Sequence, residues 1–429
     1  MYNLSYLISQ IQSSPTLALN EIANQLRESG ADVINLGIGE PLNDCPDSVL
    51  SSTKAILETR QIKYSPTSGT HSLKLAIQDY TREHYGREPG LKNITVTVGA
   101  KQAIYNLLQV LLDPGDEVII FTPYWVSYPE MVKLARGVPV YVGTNDDFVP
   151  DMETIKAALT DKTRAILFNT PNNPTGAVYP PELVAALVDL CESKRIFLIM
   201  DDIYHQLVFE PAQWVPGYVF TSKKFDKSHL VIINGISKTY GMTGFRIGWA
   251  IGPEPVIQAM NKIQGHSTSG ASSLLQEAAV GALTQGEDTV SVLKQFIRTN
   301  RDILVGELKK IKGVKVNEPG GTFYCFPDFR SIHPDSQELA RLLLEKAFLA
   351  TVPGVAFGQE GFLRMSFTCS TDQIIESAAR IRWAIDPDSS PEIIIGGQKF
   401  LLTAFGNPKF VLFYFGWCKL PEKFRIECL

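Results

Sequence analysis

Short, almost purely apolar runs alternate with longer amphipathic stretches through the middle of this chain, and that alternation limits the folds open to it. The run NITVTV (93–98) is followed by the helical pattern AKQAIYNLLQVLL, and the turn DPGD (113–116) leads into EVIIF (117–121). Further on come RAILFN (164–169), the amphipathic PELVAALVDLCESK (181–194), IFLIMDD (196–202), HLVIIN (229–234) and RIGWAIG (246–252). A strand that is apolar at every position has both faces covered, and helical connections between such strands make them parallel. The pattern predicts an α/β domain: a largely parallel sheet with helices on both faces.

Beyond about residue 290 the character changes. A long polar-faced helical stretch, VSVLKQFIRTNRDILVGELKKI, is followed by GVKVNEP, GTFYCFPDF and FLRMSFT, which read as short strands between helices. We expect four parts: an N-terminal segment (1–45) that packs with the small domain, a large domain (46–290), a small α+β domain (291–386) and an atypical extension (387–429). A chain of 429 residues is long enough for two or three packed domains. The extension opens with a Pro/Ser linker signal, DPDSSPE, and continues as apolar patches with no clean period. It is either an extra packed appendage or sequence foreign to the ancestral domain, and no chemistry is assigned to it.

Several classes of function are disfavoured. A formal net charge of −5 gives no general reason to expect nucleic acid as a partner, and no basic helix-turn-helix pattern appears. Six cysteines are scattered without a CxxC pair, and six histidines show no metal-ligand spacing. That usage fits reduced thiols in the cytoplasm and no metal site. MYNLSYLISQIQSSP lacks the basic start and apolar core of a signal peptide. No apolar run approaches the roughly 20 residues of a membrane-spanning helix.

In open α/β sheets, ligands bind beyond the carboxyl ends of the strands, so the residues there carry the argument. After NITVTV, Gly99-Ala100-Lys101 opens a helix, where free N–H groups and the helix dipole make a plausible phosphate seat. Alone, this would be a plain strand–turn–helix junction. After AILFNT, the turn PNNPTG (171–176) holds Asn173 rigidly, either to donate to a ligand oxygen or to cap its own backbone. IFLIMDDIY ends in Asp201, Asp202 and Tyr204. A carboxylate at the end of a buried strand needs a cation or donors. A protonated ring nitrogen would serve, and the alternative is a helix N-cap, to which Asp202 could belong. NGISKTYGMTGFR (234–246) places Lys238 at the end of another buried strand, with Ser237 and Arg246 available to a phosphate. There an amine whose pKa is lowered can form a Schiff base, although a single lysine is ordinarily a solvated charge. In FLRMSFT, Arg364 either pairs with an internal acid or waits for a ligand carboxylate, which its planar fork suits.

Together and in this order, these stretches resemble the class I pyridoxal-phosphate aminotransferases of fold type I, in particular the bacterial aspartate-aminotransferase-like subgroup. The resemblance runs from SSPTLALNEIANQL (13–26) to ARIRWAI (379–385). It includes LGIGEP (36–41), KYSPTSG (63–69), TVGAKQA (97–103), LDPGDEVI (112–119), PYWVSYPEM (123–131), PNNPTG, DDIY (201–204), SKTYGMTGFRIG (237–248) and LRMSF (363–367). It implies a seven-stranded, mostly parallel sheet between helices, with a smaller α+β domain.

The resemblance also implies the cofactor, pyridoxal 5′-phosphate, and a role for each matched residue. Lys238 matches the lysine that holds the cofactor as a Schiff base and shuttles the proton. Asp201 matches the carboxylate on the ring nitrogen. Tyr204 and Asn173 match the groups on the phenolic oxygen, and Trp125 the ring that stacks on the cofactor. Ser237, Arg246, Gly99 and the amides of Ala100 and Lys101 match the phosphate cradle. Tyr64 matches a tyrosine that reaches the phosphate of a neighbouring subunit, which implies a homodimer. Arg364 matches the arginine on the substrate α-carboxylate, and Gly39 lies in the substrate-facing loop, with Trp125 and Asn173 also touching substrate. The implied reaction is ping-pong amino transfer between an L-amino acid, first of all L-aspartate, and 2-oxoglutarate. Aromatic, alanine or broad donor preference is the alternative, with a β-lyase as a further one. Ala100 stands where many relatives have glycine, which a position already helical tolerates.

Overall fold

The computed structural model describes residues 2, 4–12, 15–386, 392–395 and 398–401. The chain divides into two units. One comprises residues 1–12, 40–296 and 320–322, and the other residues 13–39, 297–319 and 323–429. The N-terminal stretch is therefore shared out: its first residues group with the larger unit, and 13–39 with the smaller.

In chain order the first strand, β1 (Ile34–Asn35), belongs to the smaller unit. The larger unit is built on seven strands: β2 (Ile94–Thr97), β3 (Glu117–Thr122), β4 (Val138–Gly143), β5 (Thr163–Asn169), β6 (Phe197–Asp201), β7 (Leu230–Gly235) and β8 (Gly248–Ile251). Their spatial order is β2-β8-β7-β6-β5-β3-β4. All neighbours are parallel except at β8, which runs antiparallel to both β2 and β7. The expected mostly parallel seven-stranded sheet is what the structure shows.

The apolar strand runs have the cause inferred from their composition. Ile119 and Phe121 of β3, Ile166 and Phe168 of β5, and Leu198 and Met200 of β6 enter one core cluster. Val118, Ile120, Ala165, Leu167 and Ile199 enter another. Successive side chains point to opposite faces, so both faces are buried under helices. One covering helix is Pro181–Lys194, opened by proline at its first turn and closed by left-handed Arg195. Because β8 is reversed, the segment leading into it lies at the same edge as the ends of the other strands.

The smaller unit pairs β1 in parallel with β10 (Leu349–Ala350). A separate three-stranded sheet has the order β11-β12-β9, with β9 at Tyr324–Cys325, β11 at Val352–Pro353 and β12 at Leu363–Ser366. Its strands are antiparallel, and the helices Ser336–Ala347 and Thr371–Ile385 alternate with them. GVKVNEP contributes only an isolated bridge, Lys315 to Asp328, because charged and polar residues interrupt its short alternation. The residues expected to form an extension at 387–429 provide the hairpin β13 (Glu392–Ile395) and β14 (Gln398–Leu401); the rest of that segment lies outside the described residues. Among the described residues, no helix is long and apolar enough to cross a membrane. None of them form a cluster of His, Cys, Asp and Glu that could hold a metal ion.

Candidate active site

Five segments of the larger unit converge where the strands end. β6 ends at Asp201, a residue only 4% exposed. Burial pushes its pKa up to about 6, opposed by the Tyr128 hydroxyl, the Ile203 amide and the charge of Lys238. The Tyr128 hydroxyl donates to Asp201 Oδ2 at 2.6 Å, a short charge-assisted bond. The next strand, β7, runs out into the turn that carries Lys238, which is half-buried and flanked by the buried Ser237 and Thr239. Lys238 is thus placed with its positive charge felt by a desolvated carboxylate at the end of the adjacent strand.

Asn169 ends β5, and its Nδ2 donates to the Asp201 carbonyl at 2.8 Å. Its Oδ1 accepts from Asn173 N at 2.9 Å. One side chain therefore ties the end of β6 to the PNNPTG turn. Asn173 Nδ2 in turn lies 3.5 Å from the Tyr204 hydroxyl. Asn172 fills the local turn role instead, accepting from Thr175 Oγ1 at 2.8 Å. Asp202 does not cap a helix. The chain continues as a turn, and Asp202 accepts from the Tyr85 hydroxyl at 3.0 Å.

At the end of β2, Gly99 has φ +77°, and a Cβ there would sit 2.7 Å from Arg246 Nη2. The positive φ favours glycine, and a Cβ would also push the Arg246 guanidinium aside. Ala100 follows inside the helix Gly99–Leu111, whose N-cap, Val98, offers no side-chain acceptor. A methyl is accordingly tolerated at Ala100. Arg246 Nη1 donates to Thr243 O at 3.0 Å. Burial lowers the Lys101 pKa and the Arg246 charge lowers it further. Two cations beside an uncapped helix start make an electropositive seat. Trp125 follows β3, and Lys101 Nζ lies 4.9 Å from its ring centroid. Tyr64 is 99% exposed and takes no part in this cluster within one chain.

Within the smaller unit, Arg364 lies on β12 and is 3% exposed. Its Nη2 donates to Gly37 O at 2.8 Å, and its guanidinium stacks over the Tyr324 ring at 4.4 Å. Asn35 Oδ1 accepts from Gly37 N at 2.8 Å and shapes that loop. Gly39 follows, with the Tyr324 hydroxyl 3.5 Å from where a Cβ would stand.

The sequence expectations do not include Asn169 and Tyr128. Both lie in stretches already singled out there, RAILFN and PYWVSYPEM. A carboxylate placed at a buried strand end demands donors, and that demand is the signal that points to Tyr128; Asn169 serves the Asp201 backbone carbonyl instead.

A family model for aminotransferase class I and II matches residues 31–381. A probable aspartate/prephenate aminotransferase of Thermus aquaticus is 38% identical over 390 residues, covering 90% of this chain and all of that protein. An aspartate aminotransferase of Geobacillus stearothermophilus is 38% identical over 385 residues, 88% of this chain and 98% of that one. Among solved structures, the Thermus thermophilus aspartate aminotransferase with maleate superimposes with a TM-score of 0.85 at 39% identity, over 90% of this chain and 100% of that one.

Enzymes of this family work through pyridoxal phosphate, and the residues here fit it. The electropositive helix start at Gly99–Lys101 suits a phosphate. Burial raises the pKa of the Asp201 carboxyl and the Lys238 charge offsets that only in part; a protonated ring nitrogen would compensate further. On the matched span, the shared fold and this fit, the chain belongs to the class I and II aminotransferases, and is a pyridoxal-phosphate-dependent aminotransferase.

Proposed function

We propose that this enzyme transfers the amino group of L-aspartate to 2-oxoglutarate in ping-pong order, the first product leaving before the second substrate enters. The observation that carries the site assignment is that Lys238 follows the strand adjacent to the one ending at buried Asp201, and that its charge acts on that carboxyl. The donor assignment rests on the relatives, which are named for aspartate.

When bound, pyridoxal phosphate supplies an electron sink for the electrons released at the substrate Cα. Lys238 would hold the cofactor, and its amine would accept and return the substrate Cα proton. Asp201 would favour positive charge at the ring nitrogen, with Tyr128 and Asn169 orienting it. Tyr204 and Asn173 would serve the phenolic oxygen, and Trp125 would cover the ring. Ser237, Arg246 and the amides of Ala100 and Lys101 would hold the phosphate, with Gly99 leaving room for it. Arg364 grips the substrate α-carboxylate, with Gly39 in the loop beside it.

A panel of amino donors assayed with 2-oxoglutarate tests the donor assignment. Aspartate is expected to give the highest kcat/KM. A preference for alanine or an aromatic donor, with aspartate inert, overturns the assignment and leaves the class standing. Release of pyruvate and ammonia without an amino acceptor would instead mark a β-lyase.

The exposed Tyr64 supports a homodimer in which its hydroxyl reaches the phosphate held by the partner. Sedimentation at assay concentration is expected to give dimers, with Tyr64→Phe still dimeric but releasing cofactor more readily. A catalytically competent monomer contradicts this. The four described cysteines are unpaired, which supports a reducing, cytoplasmic setting.

A further inference from the structure

Asp201 and Tyr204 sit on a turn whose backbone is gripped by polar side chains that none of the roles above uses. Asp202, between them, donates its N–H to Ile233 O at 2.9 Å and accepts at its carbonyl from His205 N at 3.0 Å. The same carbonyl lies 2.9 Å from His205 Nδ1. His205 Nε2 is 3.0 Å from the Tyr80 hydroxyl. Gln206 Nε2 donates to that hydroxyl at 3.0 Å and lies 3.0 Å from His84 Nε2. Asn234 Nδ2 donates to the Tyr85 hydroxyl at 3.1 Å and stands 3.2 Å from His205 Nδ1. Tyr80, Tyr85, Asp202, His205 and Asn234 are buried, and His84 is half-buried at the outer end.

From His84 to the Asp202 carbonyl the donors and acceptors run in one direction, in which Asn234 Nδ2 donates to the Tyr85 hydroxyl and only touches His205 Nδ1. An amide nitrogen only donates, so His84 Nε2 must accept and His84 must be neutral. The Tyr80 hydroxyl accepts from Gln206, and its buried O–H finds an acceptor at His205 Nε2. His205 then carries its proton on Nδ1 and donates to the Asp202 carbonyl. Gln206 Oε1 is buried without a hydrogen-bond partner, the mark of an amide turned to satisfy two acceptors with its nitrogen.

We propose that His205 is a positioning residue for Asp201 and Tyr204, and that its grip on their turn holds only while His84 stays uncharged. A protonated His84 would set N–H against N–H at Gln206. The amide must then turn over, so that Oε1 accepts from both His84 and Tyr80. Tyr80 no longer donates to His205, whose single proton moves from Nδ1 to Nε2. The bond to the Asp202 carbonyl is lost, and Asn234 Nδ2 donates to Nδ1 instead.

The surroundings agree with the neutral form. Burial lowers the His84 pKa, while Glu83 on its own helix and Glu287 oppose that shift. Its ring neighbours are Tyr80 and His205, at centroid distances of 4.3 Å and 5.8 Å. Tyr240 acts on Tyr80 from a further segment. Burial, aided by His84, takes the His205 pKa down to about 3, which favours the neutral ring.

The proposal rests on the roles of Asp201 and Tyr204 given above. Its test is the pH dependence of kcat and of cofactor dissociation in the loaded enzyme, for wild type, His84→Phe, Gln206→Glu and His205→Phe. His84→Phe is expected to keep neutral-pH turnover and to lose one acid-side transition from both readouts. Gln206→Glu, a pure acceptor, should move that transition up by about one pH unit. His205→Phe should lower kcat by roughly tenfold to a hundredfold with little change in KM, since small misplacements of reacting groups are costly. Profiles that superimpose on wild type after scaling overturn the proposal, because a merely structural network lowers activity equally at every pH. If they superimpose while Lys238→Ala is inactive, this proposal falls alone. A Lys238→Ala enzyme with wild-type turnover removes the site reading itself.

Discussion

Lys238→Ala is expected to lower kcat by at least about 10⁴-fold, because it removes both the covalent attachment and the proton carrier. The fold should survive, since the lysine lies in a turn after β7 and the strand's core residues Val231, Ile232 and Ile233 are untouched. Cofactor should still bind through the phosphate seat and Asp201, but should leave on dialysis without a reducing or carbonyl-trapping step. Lys238→Arg separates two explanations. Arginine keeps the positive charge that Asp201 feels, yet does not give up its proton, so it should be as inactive as alanine. Turnover within tenfold of wild type in either variant would sink the assignment.

Asp201→Ala is expected to cost roughly 10²–10³-fold in kcat, the range for losing a preorganised electrostatic group in a water-poor site. Asp201→Asn keeps the shape without the charge and should fall in the same range. Tyr128→Phe should be milder and should show its effect in the pH profile. Losing a charge-assisted hydrogen bond costs the carboxylate about 1.5–3 kcal/mol, or one to two pKa units. Asp201 would then take up a proton at higher pH, and the acid limb would move upward. The sign for stability is opposite to that of a surface-paired carboxylate. Burial raises the Asp201 pKa in the fold to about 6, above an unfolded value of about 3.9. In cofactor-free protein its contribution is present at low pH and is lost as pH rises through that window. Melting temperatures of wild type and Asp201→Asn, compared across it, should show the slope only in wild type. A slope unchanged by the substitution would mean that Asp201 does not titrate there.

The legible parts of this protein were those written in local pattern. A strand apolar at every position can only be buried on both faces, so β3, β5, β6 and β7 were recognisable where they stand. The helix Pro181–Lys194 carries its own start and stop and matches the stretch read from sequence. The reversal of β8 was not legible. RIGWAIG reads like the parallel strands of the sheet, and only its pairing with Ile94–Thr97 and with β7 sets its direction. GVKVNEP looked like a strand and forms a single bridge, because a short alternation decides nothing unless an edge is available to pair with.

The same division runs through the site. Lys238, Asp201, Asn173, Gly99 and Arg364 could be singled out because each is chemically out of place at the end of an apolar run. Their residue types and order carried the family. What Asp201 needs in order to remain useful came from elsewhere in the chain: Tyr128 at 2.6 Å and Asn169 on the neighbouring strand. Asp202, readable as a helix cap, became instead the inner end of a buried hydrogen-bonded chain that reaches His84. Periodicity and special residues report what one segment requires of its surroundings, namely burial, a donor or a tight turn. Which residue meets that requirement depends on strand order, and strand order is a balance of long-range pairings. The sequence alone therefore determined the layered sheet and the reactive groups at its edge; only the tertiary structure decided which partners hold those groups and in which protonation state.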